Sequence, residues 1–361
     1  LSFQNSLNTT GHNIANSDTE GYSRQRTLLS TQVPQLSGYG WLGSGVKVSG
    51  VERITDQFLS TQVRSAQSVS SQLALYSDYA SRLDNVLADP NIGLDPALQD
   101  FFNAMQVVAD DPASIPSRQV LLSESGSLVD RFHDLNRRFT DLRLQVNQQM
   151  ESTTNEINDI AQSLGRLNQS IVEAIGIAGG DDPNDLMDRR ELLLSELSKL
   201  TDISIVPQDD GAWNVFIGKG QALIMGSNVA TLGTRPSLSD VSQMDVIFTD
   251  SVGSRVITDQ MSGGEIGGLL DFRDRILDPG QNQLGLVAIG IGERINDQQQ
   301  LGMDLNGALG SRIFSSPTIL PFPHSGNVSA VSVSASLVDS GNLTASDYKL
   351  ESAGGDLYTL T

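Results

Sequence analysis

Between positions 117 and 178 the apolar residues recur in steps of three and four: Leu128, Phe132, Leu135, Phe139, Leu142, Val146, Met150, Ile157, Ile160, Leu164, Leu167, Ile171, Ala174 and Ala178. That spacing puts them on one stripe of a helix and asks for long helical partners. No proline interrupts the run. Ser114 supplies an N-cap, Pro116 a first-turn residue and Gly179-Gly180 a stop. As one helix it would measure about 93 Å at 1.5 Å per residue, too long for the core of one compact domain. Two four-residue steps follow one another at Leu142, Val146 and Met150, and Thr153 takes the next core position. Such a stutter unwinds a supercoil locally, so a bend, a break or a change of partner is expected at 150–154.

The same period marks further helices. One covers 55–87, with Leu59, Val63, Leu73, Tyr76, Leu83 and Leu87, and is closed by Asp89-Pro90. Another covers 96–109, with Phe101, Phe102 and Met105, and is closed by Asp110-Asp111-Pro112. Asp182 as N-cap and Pro183 at N1 open a third, with Asp185 near its positive end and Leu186, Leu193, Leu197 and Leu200 along it. A return helix over 264–303 can cover the long stripe, broken or kinked at Pro279-Gly280. From Ile203 the period drops to two: Ile203, Ile205, an Asp210-Gly211 turn, then Trp213, Val215 and Ile217 begin a set of hairpins at about 203–260. Pro317, Pro321 and Pro323 read as a linker. Val331, Val333, Ala335 and Leu337 then alternate like a strand, and so do 348–350 and 357–360, joined through Gly354-Gly355. The expected fold class is mainly α with β, an elongated bundle of long helices with inserted β-hairpins followed by the start of a separate β-rich domain. Its expected parts are an N-terminal assembly helix at 1–20, a helical rod domain at 21–314 and the start of a β-rich outer domain at 315–361.

Composition narrows the partners. The 361 residues are 18% charged, below the roughly 25% of an ordinary soluble protein, and Ser, Asn, Gln and Thr fill the gap. A polar surface of low charge density suits flat contacts between like subunits. The net charge of −20, without a basic stripe, sets nucleic acid and anionic membrane aside as partners. Cysteine is absent, which removes disulfides, thiolate metal sites and a cysteine nucleophile. No apolar run approaches the ~18 residues of a membrane span, and no basic n-region with an apolar core marks a secretory signal. Export would take another route. Beginning at Leu1 and stopping at Thr361 in a strand-like stretch, the chain reads as a fragment with material missing at both ends.

Candidate chemistry adds little. The histidines His12, His133 and His324 stand apart, and neither G-x-S-x-G nor H-E-x-x-H occurs. Gly38-Tyr-Gly40-Trp-Leu-Gly43 matches G-x-G-x-x-G, but the strand-like Val46-Lys-Val48 follows it instead of a helix start. It reads as a β-hairpin-like loop. The aspartates of 181–188 lack the glycine and terminal glutamate of a calcium loop and are read as helix caps. The glycines of 263–268 lack a Gly-Lys-Ser/Thr ending and are read as a turn into a helix. No enzyme, cofactor or metal is expected.

At the N-terminus, Phe3, Leu7 and Ile14 make one narrow apolar face on a short helix that is marginal alone and needs a partner helix. A helix stop at Asn16, a permissive turn at Gly21 and the anchors Tyr22 and Arg24 follow. The stretch NTTGHNIANSDTEGYSRQR, Asn8 to Arg26, resembles the N-terminal signature of the flagellar axial proteins of rod, hook and hook-associated type. In that signature an N-N-I-A-N-like helix end precedes T-x-G-Y-x-R; His12 stands where Asn is usual and Glu20 where Pro is common. The likeness continues in family order through Phe101-Phe102 with Asp111-Pro112, the helix from Asn184 and the hairpins of 211–226. Gly263-Gly-Glu-Ile-Gly-Gly-Leu-Leu-Asp-Phe-Arg-Asp274 and Leu301-Gly-Met-Asp-Leu-Asn-Gly307 extend it toward Phe314. Over that length the chain looks like the hook-associated family of the hook–filament junction. The resemblance implies a structural subunit exported through the flagellar type III apparatus, secreted to the extracellular flagellum and assembled there as a ring on the hook. It implies as partners other copies of the chain, the hook protein, a second junction protein and an export chaperone. The residues assigned to assembly are Phe3, Leu7, Asn13, Ile14, Asn16, Gly21, Tyr22 and Arg24. A flagellin and a secreted adhesin or enzyme on a helical stalk are the alternatives.

Overall fold

The long stripe forms α4, Ile115–Ile177, 63 residues without interruption, in a computed structural model that describes residues 1–88, 93–177, 182–327, 333–354 and 357–361. Ser114 starts this helix by accepting from the Ser117 N–H at 3.3 Å. Leu128, Leu135, Phe139, Leu142, Val146, Met150, Ile157, Leu164, Leu167 and Ile171 are buried; Ala161 is buried beside the half-exposed Ile160. The expected stops at Asp89-Pro90 and Gly179-Gly180 lie outside the described residues, as do Ala178, Asp181, Val331 and Gly355.

Two compact units share the chain. Unit 1 holds residues 1–75, 150–235 and 245–269; unit 2 holds 76–149, 236–244 and 270–361. The division crosses α4 between Gln149 and Met150, where the stutter lies. The helix does not break there. What changes is the partner of its buried stripe.

In unit 1 that partner is a sheet. β5 (Ile203–Pro207), β6 (Trp213–Ile217), β7 (Gln221–Met225) and β8 (Asn228–Val229) pair antiparallel in sequence order, and β9 (Thr231–Pro236), β10 (Met244–Thr249) and β11 (Ser254–Val256) make a three-stranded sheet. Val215, Ile217, Leu223 and Ile224 bury the inner face. Asn158 of α4 donates to the Leu232 carbonyl and accepts from the Leu232 N–H, both at 2.8 Å. One turn-set further, Asn168 donates to Trp213 O at 2.8 Å and to Gly226 O at 2.9 Å, and accepts from the Trp213 N–H at 3.2 Å. Between them Gly165 leaves room for Val229: a Cβ there would stand 2.6 Å from Val229 Cγ2. The buried Arg190 guanidinium lies 4.0 Å over the Trp213 ring and donates to Gly211 O at 2.7 Å. Burial and the nearby Arg53 lower its pKa to about 10, so it stays charged at neutral pH.

Unit 1 also contains α1 (Ser2–Ala15), the antiparallel pair β1 (Gln25–Thr31) and β4 (Val46–Arg53), and the small ribbon β2 (Gln35–Ser37) with β3 (Gly40–Leu42). The Gly38–Gly43 motif thus falls in a hairpin, as its sequence context implies. α2 (Gln57–Leu87) starts two residues later than expected because Asp56 caps it, accepting from the Phe58 and Leu59 N–H groups. Its Arg64 and Gln67 bond to Glu191 and Ser195 of α5 (Asn184–Leu200). α5 corrects the capping scheme: Pro183, not Asp182, holds the N-cap position, and no side chain caps the helix. Asp185 and Asp188 instead bond to Ser23, Gln25 and Arg53, as described below.

Unit 2 packs α3 (Leu94–Asp110), the first half of α4 and α7 (Asp278–Gln300). α6 (Gly264–Phe272) runs into α7 through a π-helical turn, Arg273–Leu277, in which the Asp278 N–H bonds to Arg273 O. Of the expected break or kink at Pro279-Gly280, the break does not occur. A proline ring crowds the carbonyl four residues back and offers no N–H; widening the preceding turn relieves both problems without ending the helix. Gly280 faces Phe139, whose Cε1 would lie 3.0 Å from a Cβ. Arg143 of α4 binds the head of α7, pairing with Asp278 at 2.7 Å and donating to Gln281 Oε1 at 2.7 Å. Within α7, the fully buried Asn296 donates to Phe314 O and accepts from the Phe314 N–H, each at 2.9 Å. This brings Phe314 to 6.1 Å from the Phe101 ring. Residues 333–337 form no strand, contrary to expectation, since a lone alternating segment has no ladder to join. β12 (Leu350–Gly354) and β13 (Leu357–Leu360) pair as the expected hairpin.

Two tests follow from these contacts. Asn168→Ala should destabilise the chain by about 2 kcal/mol or more in urea unfolding, since it strands buried backbone groups of Trp213 and Gly226. Asp278 has its pKa raised by burial, against the opposing pull of Arg143. The native state therefore holds its proton more tightly than the unfolded chain does. The stability this group contributes is greatest below its ordinary pKa and is lost as pH rises through the raised value. The stability difference between the parent chain and Asp278→Asn should fall as pH is raised from below the ordinary aspartate value through the raised one, then level off.

Candidate assembly interface

The N-terminal helix is attached inside out. Ser2, Ser6, Thr9, Asn13 and Asn16 recur at helical spacing and form its half-buried side. Ser2 Oγ donates to Val46 O at 2.9 Å, and Thr27 Oγ1 donates to Thr9 Oγ1 at 3.1 Å. Asn13 donates to Gln25 O and accepts from the Gln25 N–H, both at 2.8 Å. A β-ribbon thus receives α1 where a partner helix was expected. The opposite side carries Phe3, Leu7 and Ile14, which are 79%, 74% and 71% exposed.

The other assigned residues sit in the turn that follows. Asn16 closes α1 by donating to His12 O at 3.0 Å. Gly21 takes φ +78°, and a Cβ there would meet Leu192 Cβ at 3.0 Å, so the turn needs glycine for backbone and space alike. The Tyr22 hydroxyl donates to Asn13 Oδ1 at 2.7 Å and lies 3.0 Å from His12 Nδ1. Burial, then Asp185 and Asp188, raise its pKa further above its ordinary value. Arg24 contributes its carbonyl, which accepts from the Ile54 N–H at 2.8 Å. The structure therefore brings Asn13, Asn16, Gly21 and Tyr22 together as one joint and sets Phe3, Leu7 and Ile14 apart from it as an open face.

Sequence reading missed the residues that fix this joint to α5. The Ser23 N–H bonds to Asp188 Oδ2 at 3.0 Å, and Arg53 pairs with Asp188 Oδ1 at 2.9 Å. Gln25 Nε2 donates to Asp185 Oδ1 at 3.0 Å, and Asn184 Nδ2 donates to Val51 O at 2.8 Å. The available signal was a surplus of acids at the start of α5, more than one helix end requires. Elsewhere, unit 2 contains an apolar concavity of about 570 Å³ between α4 and α7, lined by Leu128, Phe132, Leu284, Ala288 and Phe314 among others. Among the described residues no group of three or more His, Asp or Glu is placed to hold a metal, and no helix is long and apolar enough to cross a membrane.

A model of the "Flagellar hook-associated protein FlgK helical domain" matches residues 80–314. Flagellar hook-associated protein 1 of Salmonella typhimurium is 36% identical over 98% of this chain and 64% of its own length. The chain belongs to the flagellar hook-associated protein 1 family. The Escherichia coli member is 33% identical over 96% of this chain and 64% of its own length. The flagellar hook junction protein FlgK of Burkholderia pseudomallei has a solved structure that superposes with a TM-score of 0.76 at 31% identity, over 83% of this chain and 54% of that one. The mainly α with β architecture agrees with that family, and a flagellin is not favoured. The chain spans about 64% of the length of the Salmonella typhimurium and Escherichia coli relatives.

Asn13→Ala should release α1 while leaving the β1–β4 pair formed. Hydrogen exchange at the Gln25 amide should accelerate at least about tenfold, the equivalent of losing roughly 1.4 kcal/mol of local protection, with the sheet amides of β6 and β7 unchanged.

Proposed function

We propose that this chain is the greater part of a structural subunit that joins the hook to the filament of a bacterial flagellum. The observation that carries the reading is the orientation of α1, with its polar side bonded to the ribbon and Phe3, Leu7 and Ile14 turned to solvent. A short helix held this way gains nothing from its apolar side until another surface covers it. Family membership supplies the setting. In the intact protein the subunits form a ring on the hook, bounded by the hook protein and a second junction protein, after export with the help of a chaperone. The role is geometric and needs no catalysis. Residues 1–20 act as the assembly helix, 21–314 as the helical domain, and 315–361 begin an outer β-rich domain. Phe3, Leu7 and Ile14 make the contact, while Asn13, Asn16, Gly21, Tyr22 and Arg24 hold α1 in the presenting position. The flagellum outside the cell is the site of action.

Deleting the gene should leave hooks without filaments in electron micrographs and shed flagellin into the medium; normal filaments would refute the junction role. Leu7→Asp in the full protein should abolish swimming while leaving the circular dichroism of the purified monomer within error of the parent. Wild-type motility in that variant would remove the α1 face from the proposal.

A further inference from the structure

The stretch Leu301-Gly-Met-Asp-Leu-Asn-Gly307 has no part in the joint that holds α1. It contains the one place in the sequence where asparagine precedes glycine, Asn306-Gly307, and both residues are exposed. Such a pair is chemically labile, because glycine has no side chain to hold its nitrogen away from the asparagine carboxamide. The Gly307 nitrogen attacks Asn306 Cγ and gives up its proton. The Cγ–Nδ2 bond then breaks, and the carboxamide nitrogen leaves as ammonia. Water opens the resulting five-membered imide at either carbonyl, leaving aspartate or isoaspartate.

The loop around this pair is tied by Asp304. Its Oδ1 accepts from the Asn306 N–H at 2.8 Å and from the Ala308 N–H at 2.9 Å. Its carbonyl accepts from the Gly307 N–H at 3.1 Å, and its own N–H donates to Ala308 O at 2.7 Å. A bridge between Met303 and Leu309 and a bond from the Gly310 N–H to Gly302 O close the base. A Cβ at Gly310 would stand 2.0 Å from Gln299 O, so that base is packed on the end of α7. The Ala308 and Asn306 N–H groups, then the Asn306 side chain and the Gly307 N–H, hold the Asp304 carboxyl below the usual aspartate value.

This arrangement opposes the reaction in two ways. The proton that Gly307 must release is engaged by Asp304 O, and the turn fixes the nitrogen that must swing toward Asn306 Cγ. The Asp304 carboxylate also stands beside the atoms on which negative charge has to develop, first the Gly307 nitrogen and then the carboxamide oxygen. We propose that Asn306 is a latent deamidation site and that Asp304 is the residue that keeps it closed. Conversion requires the loop to open, and it places a new carboxylate among the exposed side chains of Leu301, Met303, Leu305 and Leu309.

The test uses the purified full-length protein, incubated in mildly alkaline buffer and digested at intervals. Aspartate and isoaspartate at position 306 are quantified by mass spectrometry of the peptide that carries it. Conversion in the folded parent should be at least about tenfold slower than in the same protein unfolded in guanidinium chloride. Asp304→Ala should recover most of that difference while its circular dichroism matches the parent. Equal rates in the folded and unfolded parent, or an unchanged rate in the folded variant, overturn the proposal. If Asp304→Ala unfolds the protein, Asp304→Asn takes its place, removing the charge at nearly constant size, and the same outcomes decide.

Discussion

One interaction recurs at the places where a helix meets a strand or a returning segment: an asparagine side chain that donates to and accepts from the same backbone residue. Asn13 does this to Gln25, Asn158 to Leu232, Asn168 to Trp213 and Asn296 to Phe314. A helix has no free backbone groups along its flank, so a strand lying beside it keeps unsatisfied N–H and C=O groups unless a side chain completes them. A carboxamide presents both functions at the correct separation and serves as one rung of a ladder. Each rung is modest in net free energy, but its loss strands buried groups, so the geometry is specified more strongly than it is stabilised.

This use of asparagine explains the composition. A chain poor in charge and rich in uncharged polar residues looked suited to broad contacts between subunits. Part of that polar content is spent internally instead. Asn168 and Asn296 are buried, and Asn147, also buried, donates to Ser242 O. Charged groups are used where a loop or a helix head must be fixed, as in the pairs Arg53–Asp188 and Arg143–Asp278.

Much of the fold was legible because its signals are long or doubled. α4 repeats its stripe over many turns and is capped by Ser114, and the β5–β6 hairpin combines period two with an Asp-Gly turn. The stutter at Met150 marked the change of partner without showing that the new partner is a sheet. Less was legible at the candidate site. Helical spacing located the apolar side of α1 but not which side faces inward, and the usual rule that apolar residues turn in is reversed there. Ser2, Ser6, Thr9 and Asn13 were visible at matching spacing, yet hydrogen-bond partners remote in sequence cannot be read from one strand of text. Pro279 illustrates the opposite limit: a strong local breaker was absorbed by one wider turn.

The carboxamide rungs also fix how the joints respond to surroundings. An ion pair weakens as salt screens it and fails when either partner changes protonation. A carboxamide carries no net charge and has no pKa in the range of natural waters. The seams at Asn13, Asn158, Asn168 and Asn296 are therefore set once, by shape. The carboxamide bonds themselves are indifferent to screening and protonation, whereas the ion pairs beside them, such as Arg53–Asp188, are not.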